Sequence, residues 1–423
     1  MNTFHKHPPA PPKPTKANSS KFIDHEYLDK VGEIALYYGF NPAKSPDIKK
    51  VDLDLAKSLL EGDFIEDDYD HTRLPLHVEE KIALLRMYAE KNMHNHTQPV
   101  MLYFGEPFKG AIKKASSFHR YCDLEIIGNS KSIAEATLIQ TARMILLEEG
   151  YENICVEINS IGDKDSLAKF TRDLTAYYRK NINDMHVECR QLFKKDPFDL
   201  LACQDERCKK INENAPKSIN FLSESSRTHF KETLEYLEAL GVPYRINNNL
   251  IGNRKYCTET MFTILNLDEV KDIKKGRGEH EHKVLAVGVR YDGLARKIGM
   301  KKEIQGAGVS ILVKNNKPDL RKEVKKTRRP WISFVQLGFN SKLLSLQIIE
   351  MLRQEKIPVY QSLSRDRLGA QVSMAEKYKI THTIIMGQKE AMEKTLIVRS
   401  TETHAQETVP IHELPKFIKK LDW

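Results

Sequence analysis

Residues 288–294 read Gly288-Val289-Arg290-Tyr291-Asp292-Gly293-Leu294. The run ends a strand-like stretch at 284–289 and enters a turn. Its weight comes from the pieces that stand around it in a fixed order. Pro46 follows a helical stretch, and Tyr103-Phe104-Gly105-Glu106-Pro107-Phe108-Lys109 comes next. Then come Asp123-Leu124-Glu125-Ile126-Ile127-Gly128 and Asn159-Ser160-Ile161-Gly162-Asp163. Asn212-Glu213-Asn214-Ala215-Pro216-Lys217, a helical stretch at 226–240, and Leu250-Ile251 ahead of Tyr256 complete the series.

The frame for these pieces is a chain of 423 residues, 40% hydrophobic and 30% charged, which is the composition of a folded protein rather than a disordered one. At about 150 residues per domain, it has room for two or three domains. No apolar run nears the roughly 18 residues of a membrane span, and no signal-peptide core opens the chain. Six cysteines are too few for a disulfide scaffold of this length and fit a reducing, cytoplasmic setting. The formal charge of +9 is compatible with a polyanionic partner.

Residues 1–21 carry five prolines, four lysines and no acid, and are expected to be a disordered basic tail. Helical spacing marks 26–40, 79–91 and 132–150, the last closed by Gly150. Strand-like runs lie at 99–104, 123–128, 154–159, 261–267, 284–289 and 308–313. Residues 163–243 are charged and helical in pattern, and 271–282 read as a charged hairpin loop. A basic linker at 321–330 precedes strands and helices alternating through 331–423, the pattern of a small α/β unit with a mostly parallel sheet.

Taken together, the quoted pieces resemble the histidyl-tRNA synthetase family of class II aminoacyl-tRNA synthetases over about residues 22–423. The resemblance implies an α+β fold: a six-stranded antiparallel catalytic sheet with helices, a helical insertion at about 163–243, and a C-terminal α/β anticodon-binding-like domain at 331–423. It also implies ATP with magnesium, histidine, tRNA and a homodimer.

Activating an amino acid with ATP builds charge on the α-phosphate, which planar arginine forks hold best. The resemblance puts Lys109 where the family has an arginine, and Ala111 where it has an acid. The family's third motif ends a strand and opens a helix; its acid and arginine fall on Ser310 and Ile311. On that helical reading, Lys314 stands nearly a turn further along the same face. A third family arginine falls on Gly252, with Arg254 two residues later. Lys109 and Arg254 are therefore the candidate catalytic cations.

In the amino-acid pocket, Leu74-Pro75-Leu76-His77-Val78 replaces a stretch whose glutamate holds the substrate ammonium, and Glu79 and Glu80 stand nearby on another turn. Tyr121 replaces a glutamine, Glu125 is retained, and Val289 replaces a glycine. The candidate pocket residues are Tyr121, Glu125, Tyr256, Arg290 and Tyr291. Arg290 can equally pair with Asp292 or a helix end, and the two tyrosines can equally be core.

Losing one transition-state contact typically costs ~10²–10³ in rate. Several departures together point to a synthetase-like scaffold, degenerate in ATP and histidine activation, that binds tRNA, another structured RNA or a protein partner. Two alternatives stand beside it. One is a working histidine–tRNA ligase with substituted residues. The other is a regulatory subunit of the kind that partners ATP phosphoribosyltransferase. Arg365 and Arg367, at a strand–helix junction of the last unit, are candidate tRNA contacts, and the linker lysines and arginines 322–329 are either a backbone track or a solvated face. His186-x2-Cys189 and Cys203-x4-Cys208 offer four zinc ligands, but the second spacing is loose and Pro197 intervenes. Free thiols are the commoner outcome, and no metal ligand is assigned. Cys122, Cys155 and Cys257 read as small core residues.

Overall fold

In this computed structural model the described residues are 29–59, 77–110, 119–201, 203, 205–271, 281–314, 332–361, 367–377 and 380–421. The tail at 1–21, the linker at 321–330, Ala111, Leu74 to Leu76 and Arg365 lie outside them.

The first sheet contains β1 (Asn41–Pro42), β2 (Val100–Phe104), β3 (His119–Ile127), β4 (Ile154–Gly162), β5 (Tyr244–Ile246), β6 (Thr258–Lys271), β7 (Glu281–Arg290) and β8 (Gly306–Lys314). Their order is β1-β2-β3-β8-β7-β6-β4-β5. The inner six strands, β2 to β4 in that order, pair antiparallel. The expected six-stranded antiparallel sheet is thus the centre of an eight-stranded one, because β1 and β5 add parallel pairings at its two ends. The expected hairpin at 271–282 is shorter, since β6 runs to Lys271 and β7 begins at Glu281.

Strand β3 shows why the sheet has chemistry on one face. Side chains alternate along a strand. Leu124 and Ile126 join Val309, Ile311 and the Ile133–Glu148 helix in the main core. Asp123 and Glu125 point the other way, toward the Val78–Glu90 helix. That second helix packs Leu84, Met87 and Tyr88 against Val100, Phe104 and Ile127, so both faces of β3 are covered and its acids are sealed in.

Residues 163–243 are helical as expected, with helices at Lys164–Lys180, Val187–Lys195, Glu206–Glu213 and Glu224–Ala239. The first three carry a core of their own around Phe170, Leu174, Tyr178 and Leu200, whereas Glu224–Ala239 packs Phe230, Tyr236 and Leu237 into the main core.

The second sheet contains β9 (Ile332–Gln336), β10 (Val359–Gln361), β11 (His382–Met386), β12 (Thr395–Ser400) and β13 (Gln406–Pro410), in the order β10-β9-β11-β12-β13. It is parallel across β10, β9 and β11 and antiparallel across β11, β12 and β13, which corrects the expectation of a mostly parallel sheet. The connections explain it. Parallel neighbours need a crossover such as the Phe339–Gln354 helix, whereas residues 401–405 suffice only for a turn back. This unit docks on the first through Gln361 Nε2 donating to the Tyr38 carbonyl at 2.9 Å and Tyr38 Oη donating to Glu350 at 2.9 Å.

Candidate functional site

Tyr121, Asp123 and Glu125 stand two apart on β3 and therefore share one face. Tyr121 is half-buried at the outer end, and Glu125 is fully buried. Glu125 is paired directly with the ammonium of Lys81, which comes down from the Val78–Glu90 helix and also lies 3.9 Å from Asp123. Tyr291 Oη donates to Glu125 Oε2 at 2.7 Å, and Ser310 Oγ donates to Asp123. Glu125 lies across from Gly308, where an added Cβ would come within 2.1 Å of its carboxylate. Burial opposes charge on Lys81, but Glu125 and Asp123 outweigh it and raise its pKa. Burial likewise pushes Glu125 up; one ammonium between two carboxylates only partly reverses this.

Tyr256, Tyr291 and Val289 pack with Val78, Ile82 and Leu294 in one buried cluster. Tyr256 is only 3% exposed and its hydroxyl is pushed well above the usual phenol range, chiefly by burial. The two tyrosines are thus brought together, as core.

Arg290 is fully buried and points to the opposite side, toward the Ile133–Glu148 helix. Its Nε and Nη2 donate to Glu135 at 2.7 and 2.6 Å. Nη1 donates to the Asn129 carbonyl at 2.8 Å and to Asp292 at 3.3 Å, and Nη2 also donates to the Lys131 carbonyl at 3.2 Å. These contacts engage all five N–H groups of the guanidinium. His229 Nε2 adds a 2.8 Å contact to Glu135. Burial drives the Glu135 pKa up, but Arg290 and His229 override it and bring it down to about 2. Of the alternatives open for Arg290, the structure shows the pairing with Asp292 and the neighbourhood of a helix start, together with a larger partner in Glu135.

The phosphate-side candidates are dispersed. Lys109 is exposed in a turn whose carbonyl accepts from the Ile48 amide at 2.9 Å. Arg254 pairs with Asp196 and stacks on Phe198 with its guanidinium carbon 3.9 Å from the ring centre, so it faces the helical insertion. Residues 306–314 are one continuous strand, and no helix opens within them. This corrects the placement of Lys314: along a strand, three residues span roughly 10 Å, so no helical turn brings Lys314 back beside Ile311. Ile311 is in the core, and the Lys314 ammonium caps the Glu149 carbonyl beside the Tyr151 ring. Gly252 and Ile311, the positions that the resemblance matches to phosphate-binding arginines, carry no cationic side chain. Arg367 is exposed just ahead of the Leu368–Lys377 helix.

Sequence reasoning missed Lys81 and Glu135. Both sit in stretches read correctly as helical, but their partners are 44 and 155 residues away. A charged residue aligned with the apolar stripe of its helix was the available signal: Lys81 neighbours Ile82 and precedes Leu84 and Leu85, and Glu135 lies between Ala134 and Ala136.

Residues 337–421 match the anticodon binding domain family. Over longer spans the chain is 25% identical to the histidine–tRNA ligase of Desulforamulus reducens, covering 92% of this chain and 93% of that protein. It is 27% identical to that of Fervidobacterium nodosum, covering 89% and 90%. Among solved structures, apo histidyl-tRNA synthetase of S. aureus aligns at 22% identity over 92% of this chain and 93% of that one, with a TM-score of 0.47. Among the described residues no helix is long and apolar enough to cross a membrane. The chain is thus similar over about nine-tenths of its length to histidine–tRNA ligases at about a quarter identity, and its C-terminal α/β unit carries the match to the anticodon binding domain.

Proposed function

We propose that the protein uses a synthetase scaffold to bind tRNA or another structured RNA, as a homodimer, without activating histidine. One observation carries this reading: the surviving pocket carboxylate, Glu125, already holds an internal ammonium, that of Lys81. A substrate ammonium would have to displace a buried lysine tethered by its own helix, and the displaced charge would have no second partner as good. The full use of Arg290 by Glu135, Asp292 and two carbonyls, and the turning of Arg254 toward Asp196, support the same reading. The anticodon-binding match at 337–421 supports an RNA partner, with exposed Arg367 at a helix start as one contact.

The test is histidine-dependent exchange of pyrophosphate into ATP by the full chain, run beside tRNA binding at several salt concentrations. The expected result is no exchange from folded, dimeric protein, with RNA affinity falling steeply as salt rises because the contacts are to phosphates. Exchange above background overturns the reading; if Lys109→Ala then abolishes it, the chain is a working ligase using that ammonium. Loss of RNA binding with co-purification of ATP phosphoribosyltransferase would instead make it a regulatory subunit.

A further inference from the structure

Three of the six cysteines meet inside the helical insertion. Cys189 Sγ lies 3.5 Å from Cys203 Sγ, and the sulfurs of Cys189, Cys203 and Cys208 all lie within 4.8 Å of one another. They converge from separate segments: the first turn of the Val187–Lys195 helix, the stretch after Leu201, and the first turn of the Glu206–Glu213 helix. Thiolates arranged tetrahedrally at ~2.3 Å from a zinc ion stand roughly 3.8 Å apart, which separations of 3.5 Å for one pair and no more than 4.8 Å for all three accommodate.

The surroundings favour thiolate once a cation is present. Cys189 and Cys208 each sit three residues after a helix N-cap, His186 and Asp205 respectively. Two positive helix ends therefore face the cluster. Burial pushes the thiols of Cys189 and Cys208 up, toward the protonated form. A bound dication reverses that preference and releases the thiol protons to solvent. Cys189 and Cys208 are buried in the insertion's own core, with Leu200 and Phe198 beside them, whereas Cys203 is half-buried and leaves one side accessible. His186 is exposed and lies outside the sulfur cluster.

We infer that Cys189, Cys203 and Cys208 form a structural site for one zinc ion, its fourth position filled from the solvent side, that ties the two short helices of the insertion together. Loading replaces three S–H protons with one Zn²⁺, and no electron changes hands. The site is separate from the pocket around Glu125 and does not depend on whether histidine is activated.

The experiment uses the full chain, stripped with a chelator under reducing conditions and titrated with Zn²⁺ or Co²⁺. The expected results are one equivalent of bound zinc, a sulfur-to-cobalt charge-transfer band with tetrahedral d–d bands, and zinc protection of three of the six thiols against a disulfide reagent. Cys189→Ser, Cys203→Ser and Cys208→Ser should each abolish the cobalt band, while Cys155→Ser, in β4, leaves it intact. Because a serine variant can fail to fold, the wild-type cobalt spectrum and thiol protection decide on their own. Absence of the band together with equal thiol reactivity with and without zinc overturns the site, and so does a Cys189–Cys203 disulfide in metal-free protein isolated without reductant.

Discussion

Arg290 meets Glu135 through two contacts of 2.6 and 2.7 Å, whereas Lys81 serves Glu125 directly and Asp123 at 3.9 Å with a single ammonium. Both pairs are buried, and they use helices on opposite faces of one sheet. The difference lies in donor geometry and charge count. The guanidinium spends its remaining N–H groups on Asp292 and two backbone carbonyls, and His229 adds a further donor to Glu135. Glu135 is therefore held ionised far below its ordinary range. The ammonium shares one charge between two carboxylates, so burial still lifts Glu125. Arg290 is itself shared by two carboxylates and burial lifts Asp292 too, so the acid that is fully held is the one that receives both the fork and the His229 contact.

The largest effect should come from breaking the first pair. Glu135→Gln leaves Arg290 buried without its main counter-ion and should lower unfolding free energy by about 3–5 kcal/mol in urea titration. A loss below ~1 kcal/mol would mean the two pairs are equivalent after all. The pH profile tests the same pair. The Glu135 pKa falls from an ordinary 4.5 to about 2, so its stabilisation is present above 4.5 and is lost as pH drops through 2. The wild-type midpoint should decline across that window by an amount on the order of 3 kcal/mol, and the decline should flatten in Glu135→Gln.

Lys81→Met should cost less, about 2 kcal/mol at pH 8, because Glu125 can take up a proton when its cation is removed. The deficit should shrink toward pH 5, the opposite trend from Glu135. A deficit that grows on acidification would show that Lys81 does not neutralise Glu125. Tyr291→Phe removes one donor to Glu125 and should cost about 1 kcal/mol. The smallest effect concerns His229, whose pKa is raised by Glu135 against the opposing effect of burial. Its contribution is complete below pH 6.5 and is lost as pH rises through the raised value, so His229→Gln should remove a decline of about 1 kcal/mol on the alkaline side.

Most strands of the first sheet were legible because they alternate or run apolar over five or more residues, as at 123–128, 154–159 and 284–289. The 132–150 helix was legible from its stripe and its closing Gly150. β5, β13 and the Lys50–Leu59 helix were not read, being short or weakly patterned. Glu125, Tyr256, Arg290 and Tyr291 were picked out as special, and each is buried. Their partners were not legible. Lys81 and Glu135 look like solvated helix charges until the fold brings strands from elsewhere against them. The strand-like reading of 308–313 held; the helical spacing from Ile311 to Lys314 that the resemblance implied did not, because pairing with β3 carries the strand through Lys314.

The lysine beneath the sheet also bears on ancestry. A lineage that replaced Lys81 would first pass through a chain with an uncompensated buried acid. A lineage that altered Glu125 first would strand the lysine. Neither single step is neutral. A change at either member of this buried pair therefore calls for a coupled change at the other.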